Sequence, residues 1–112
     1  MYSAQFIFET SHVTEEFLAL DALILEAAED NSGYIGKENW ISETGERRNS
    51  IYYWQDQTSL REFSIHPKHL EAKKRYQEWY SGFHVVISEV TKTYGDSAFD
   101  HVTPNSRAKK AN

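Results

Sequence analysis

Two histidines stand three residues apart in the sequence HPKH at residues 66–69. Side chains at this spacing on a helix share one face, so two imidazoles could reach one metal ion or one substrate. No glutamate completes the H-E-x-x-H pattern of zinc hydrolases. Because His66 directly precedes Pro67, and proline suits the first turn of a helix, we expect His66 to cap that helix or to pack at its start.

His69 is the stronger candidate for chemistry. It precedes Ala72 by three residues and Tyr76 by seven, which places it on the same helical face as both. A histidine beside aromatic rings can accept a proton from a phenolic substrate or ligate iron. The alternative, with about equal weight from the residues alone, is a hydrogen-bonded histidine of the core.

The residues around His69 complete a candidate small-molecule site. Lys73 follows His69 by one helical turn, although a solvated lysine lying along its own helix is the more common arrangement. Phe63 and Tyr76 are helix aromatics at packing intervals, and small-molecule pockets are largely lined by such side chains. We therefore predict His69 as the catalytic residue and a substrate-contacting set of Phe63, His66, Lys73 and Tyr76. No metal site is predicted.

Alternating strands and helices must position these side chains. Aromatic and β-branched stretches predict strands, and apolar residues at three- and four-residue steps predict helices. The predicted strands are 4–10, 34–43, 49–56 and 83–93, and the predicted helices are 14–30, 58–65 and 67–81. Thr14 is the expected N-cap of the first helix, Gly45 the centre of a hairpin turn, and Gly82 the end of the last helix.

This order is β-α-β-β-α-β, which predicts a ferredoxin-like α+β fold: an antiparallel sheet with its helices on one face. Residues 1–94 form the predicted domain, and residues 95–112 are expected to be an arm or a frayed tail.

Both faces of the predicted sheet are apolar. The strand 49–56 places Ile51 and Tyr53 on one face and Tyr52 and Trp54 on the other. Helices on one side leave the second face uncovered, so we expect a homodimer that packs sheet against sheet, as in a dimeric α+β barrel. A monomer with an aromatic ligand groove is the alternative. We expect Trp40, Tyr52 and Trp54 to meet the partner, and a glutamate at Trp54 or Tyr53 to prevent dimerisation.

Composition excludes several functional classes. The net charge of −5 and the absence of a dense basic stripe argue against nucleic-acid binding. The absence of cysteine excludes disulfides and thiolate chemistry. No apolar run approaches the length of a membrane helix, so we expect a cytoplasmic protein without a membrane partner.

Several features occur in order over residues 53–94. They are the Tyr53-Trp54 pair closing the third strand, the short helix with Leu60 and Phe63, the HPKH turn, the Trp79-Tyr80 pair and the final valine-rich strand. In this series the chain resembles the antibiotic biosynthesis monooxygenase (ABM) superfamily of dimeric α+β barrels, which includes haem-degrading and quinone-forming enzymes. The resemblance implies a homodimer with a pocket between the sheet and the helices of each subunit.

The resemblance also bears on cofactors. Haem-degrading members carry an asparagine on the first strand, a tryptophan on the short helix and a haem-ligating histidine on the next helix. Phe63 and Lys73 stand at the last two positions here, and the first strand has no asparagine. We therefore expect no cofactor, with haem only a possibility that Lys73 does not favour.

Quinone-forming members oxidise polycyclic aromatics without a bound cofactor. The resemblance thus implies a small cofactor-independent monooxygenase that acts on an aromatic or lipophilic small molecule. The alternative is a non-catalytic dimeric domain, for ligand binding or a stress response, that kept the fold without the haem-degrading residues.

Overall fold

The chain forms one antiparallel sheet with helices on one side. The computed structural model describes residues 1–10 and 13–107. The elements within these ranges are β1 (Tyr2–Thr10), α1 (Glu15–Glu29), β2 (Tyr34–Ile41), β3 (Arg48–Trp54), α2 (Gln57–Ser64), α3 (Pro67–Trp79) and β4 (Tyr80–Glu89). The strand order is β2-β3-β1-β4, and each neighbouring pair is antiparallel. The predicted ferredoxin-like α+β fold is confirmed. No helix of the described residues is long and apolar enough to cross a membrane.

Side-chain caps set the starts of the helices. The Thr14 hydroxyl accepts the amide of Phe17 at 3.1 Å and begins α1, as the sequence predicts. His66 caps α3, because its Nδ1 accepts the amide of Lys68 at 3.2 Å. The capping role expected for His66 is therefore confirmed. Asp56, which the sequence analysis did not single out, caps α2 in the same way.

The junction of α3 and β4 differs from the prediction. The helix ends at Trp79 rather than near 81, and Gly82 lies inside β4, where it pairs with Glu9. The prediction that Gly82 ends the helix is wrong. Trp79 is buried, and the Tyr80 ring packs 5.1 Å from Phe8, so packing of these two aromatics fixes the junction.

The hairpin aromatics divide between the two faces of the sheet. Tyr52 and Trp54 face the helices and belong to the buried core cluster that also contains Ala28, Leu60 and Phe63. The expectation that Tyr52 and Trp54 meet a partner is therefore wrong. Side chains alternate along β3 as predicted. Tyr53 therefore lies on the side of the sheet away from the helices, which we call the open face. Trp40 also lies on the open face and is 61% exposed.

The segment 91–107, which we call the arm, returns over one end of the open face. The Thr93 hydroxyl donates to the carbonyl of Pro104 at 2.6 Å, which folds the arm back on itself. His101 Nε2 lies 2.5 Å from Glu38 Oε2, and Val102 lies over Gly36. Residues 108–112 of the predicted arm or tail lie outside the described residues.

Candidate functional site

The helices leave part of their side of the sheet uncovered. Ala4 of β1 pairs with Tyr52 on one side and with Ile87 on the other, so these three residues share one face. Tyr52 is buried under the helices, whereas Ile87 is 59% exposed. Two further β4 residues on this face, Phe83 and Val85, are 49% and 46% exposed. We call Phe83, Val85 and Ile87 the β4 strip, and it is an apolar surface open to a ligand.

Helix α3 contacts the start of this strip. It leads directly into β4 at the Trp79–Tyr80 junction, and the ring of Tyr76 lies 5.1 Å from that of Phe83. His69 is seven residues before Tyr76, which places it on the same side of α3, about 10 Å along the axis. We call the space between α3 and the β4 strip the cleft.

His69 has the environment of a neutral base. Its ring centroid lies 4.9 Å from that of Phe63, and its buried Nδ1 has no hydrogen-bond partner within the described chain. Burial, reinforced by the positive charge of Lys73, lowers the pKa of His69 to about 4. The imidazole is therefore uncharged at neutral pH, and its Nδ1 is enclosed by protein atoms.

The other predicted site residues have distinct positions. Phe63 is buried between His69 and Trp54, with ring centroids 4.9 Å from each. Tyr76 is half-buried at the far end of the cleft, and Lys73 is exposed with its Nζ 3.3 Å from the carbonyl of Ser64. The ring of His66 is engaged as the cap of α3. The structure thus brings His69, Phe63 and Lys73 together, with Tyr76 two turns away.

One polar atom beside this group was missed by the sequence analysis. Trp54 is fully buried, and its indole Nε1–H has no acceptor among the described residues. The Trp54 side chain lies on the helix side of the sheet, away from the open face. Its ring centroid is 4.9 Å from that of Phe63 in the core cluster. The sequence carried the Tyr53-Trp54 pair but no local signal for which member faces inward.

The residue at the haem-ligand position implied by the resemblance does not favour haem. The position that the resemblance assigns to the haem ligand is Lys73, and its ammonium already donates to the Ser64 carbonyl. An ammonium has no lone pair for iron. Within residues 1–10 and 13–107, no three His, Asp or Glu side chains gather as a metal site would require.

Comparison with known proteins agrees with the fold and the resemblance. Residues 3–94 match the family described as monooxygenase af470-like. The chain belongs to this family. The membership confirms the resemblance to the ABM superfamily stated from residues 53–94. No curated protein sequence matches the chain significantly.

Solved structures share the fold at low sequence identity. Rv0793 from Mycobacterium tuberculosis superposes with a TM-score of 0.70 and 14% identity, covering 84% of this chain and 98% of that one. SO0527 from Shewanella oneidensis gives 0.66 and 18%, covering 78% and 87%. SnoaB, a cofactor-independent oxygenase from Streptomyces nogalater, gives 0.67 and 13%, covering 82% and 94%. At these identities the similarity establishes the fold alone.

Proposed function

We propose that this protein is a cofactor-independent monooxygenase that oxidises an aromatic or lipophilic small molecule in the cleft. The observation that carries the proposal is His69: an uncharged imidazole with an unpartnered Nδ1, packed on Phe63 and on the same side of α3 as Tyr76, whose ring contacts Phe83 of the β4 strip. Membership of a monooxygenase family supports it, as does the fold shared with SnoaB. A neutral base among aromatic rings suits removal of a proton from an electron-rich ring system.

An anthrone shows how such a reaction balances without a cofactor. His69 takes one proton from the ring carbon, which leaves a delocalised anion that can reduce dioxygen. Oxidation of the CH2 group to a carbonyl removes four electrons, and dioxygen accepts all four. One oxygen atom enters the product and the other leaves as water. The apolar β4 strip and Tyr76 would hold the ring system, and no separate reductant is needed.

We also propose that the protein is a homodimer. Trp40 is 61% exposed on the open face, and Ile51 and Val86 lie on the same side of the sheet. The arm covers only one end of this face, so an apolar area remains for a second sheet. A second copy of the chain would cover this apolar area, as expected for strands that are apolar on both faces.

The direct experiment is oxygen uptake by the purified protein with a panel of anthrones and hydroquinones. We expect uptake with at least one substrate, and a loss of about 100-fold or more in His69→Gln, which removes the base and keeps a polar side chain. Lys74→Met, an exposed change on the same helix, is the matched control and should keep the wild-type rate.

The non-catalytic alternative makes a different forecast for the same panel. It predicts saturable binding of aromatic ligands in the cleft, without uptake of oxygen by any of them. The absence of the haem-degrading residues at Phe63 and Lys73 is the observation that favours it. Binding without turnover across the panel would replace the monooxygenase proposal with this one.

A further inference from the structure

The ammonium of Lys73 is held in place beside His69. Lys73 stands one turn after His69 on α3, and side chains four residues apart on a helix are neighbours. Its Nζ donates to the carbonyl oxygen of Ser64 at 3.3 Å. Ser64 is the last residue of α2, where the free carbonyls carry the negative end of the helix dipole. A flexible lysine is thereby tethered at the point where α2 and α3 meet.

Among the described residues, Lys73 lacks the carboxylate partner that Arg75 and Lys68 of the same helix have. Arg75 pairs with Glu16 and with Glu78, each at 2.6 Å, and Lys68 lies 4.0 Å from Glu71. For Lys73, no carboxylate of the described residues lies within 4.0 Å. Its positive charge acts on the His69 imidazole, whose ring lies 4.9 Å from that of Phe63. An uncompensated positive charge therefore lies next to an aromatic surface, and the complementary ligand is an aromatic ring that bears a negative oxygen.

We propose that the cleft binds its ligand as an aryl oxyanion and that Lys73 is the counter-ion. The inference rests on the proposed function only for the location of the ligand in the cleft. When His69 accepts the proton of a phenolic O–H, the electron pair stays on the oxygen. That oxygen lies beside the Lys73 ammonium, and the anion separates the two cationic groups. Lys73 thus contributes to ligand selection, whereas His69 holds the proton.

Equilibrium binding of two matched probes tests the inference without any turnover. The probes are 4-nitrophenol, measured at a pH where it is ionised, and 4-nitroanisole, its neutral methyl ether. We expect wild-type protein to bind the phenolate more tightly than the ether. Lys73→Met should weaken phenolate binding by about two- to fivefold, the size of one exposed ion pair, and leave the ether unchanged. Lys73→Arg should restore the preference, and Lys74→Met is the matched control.

The outcomes separate this inference from the proposed function. An equal loss of affinity for both probes in Lys73→Met would mean that the lysine only supports the α2–α3 junction, and would overturn the inference. An unchanged phenolate affinity would do the same, as would a wild-type protein with no preference for the phenolate. Each of these results leaves the oxygen-uptake experiment to decide the monooxygenase proposal by itself. Conversely, a preserved phenolate preference without oxygen uptake would support the ligand class and contradict the oxidation.

Discussion

Acidification should destabilise the fold through His69. In the unfolded chain this histidine titrates near its ordinary pKa of 6.5, whereas burial lowers the pKa in the folded protein to about 4. Between these values the unfolded state binds more protons, so the free energy of unfolding falls as the pH falls. The stabilisation is complete above pH 6.5 and is lost on approach to pH 4. At about 1.4 kcal/mol for each pKa unit, the full gap is worth about 3 kcal/mol, which partial exposure reduces to about 2 kcal/mol.

Urea unfolding of wild type and His69→Gln, at pH steps from about 7 down to 4 and at one protein concentration, measures this effect. Carboxylates whose pKa is lowered by hydrogen bonds, including Asp56 and Glu78, also lose stabilisation in acid. Their contribution is common to both proteins and cancels in the difference. We expect wild type to lose about 2 kcal/mol more than His69→Gln across the window. Parallel curves for the two proteins would refute the assignment of a buried neutral imidazole.

Three further predictions concern the core, the open face and the arm. Trp54→Ala should cost about 3–5 kcal/mol in urea unfolding, because it leaves a cavity in the core; a loss below about 1 kcal/mol would contradict full burial. Trp40→Glu should give monomers in sedimentation at concentrations where wild type is dimeric, with the monomer fold retained; an intact dimer would contradict sheet-to-sheet packing. Gly36→Ala places a Cβ 2.6 Å from the Cβ of Val102, so it should displace the arm and speed amide hydrogen exchange over 101–106. Unchanged exchange there would show that the arm does not pack on Gly36.

Local sequence signals were sufficient where the structure is locally determined. The Thr14 cap, the His66 cap before Pro67 and the positive φ of Gly45 each depend on a few neighbouring residues. Strand alternation likewise predicted that β3 is apolar on both sides. The order of elements followed from these signals and from the separations between them, and it was sufficient to indicate the ferredoxin-like fold.

The errors came from contacts between distant parts of the chain. Glycine commonly ends a helix, and this predicted a stop at Gly82. Burial of Trp79 instead ends α3 earlier and places Tyr80 in the sheet. Period-two alternation cannot tell which side of β3 meets the helices, since a shift of one residue exchanges Tyr53 and Trp54. The pairing of β3 with β1 and the packing of α2 decide it, and neither is encoded within the strand.

The candidate site was predictable in part. The spacing of His69 and Tyr76 placed both on the inward side of one helix, and the structure agrees. The uncharged state of His69 and the tether of Lys73 to Ser64 depend on how α2 packs beside α3, which the spacing does not contain. His101 shows the same limit, because its partner Glu38 is 63 residues away in the chain.

We propose that His69 serves an oxidation that needs only dioxygen and the substrate. The most direct measurement is incorporation of heavy-isotope oxygen from labelled dioxygen into an anthrone by purified, cofactor-free protein, with wild type compared with His69→Gln. We expect one labelled oxygen atom in each product molecule formed by wild type, and a rate lower by about 100-fold or more in the variant. Labelled product formed equally fast by both proteins, or by neither, would contradict it.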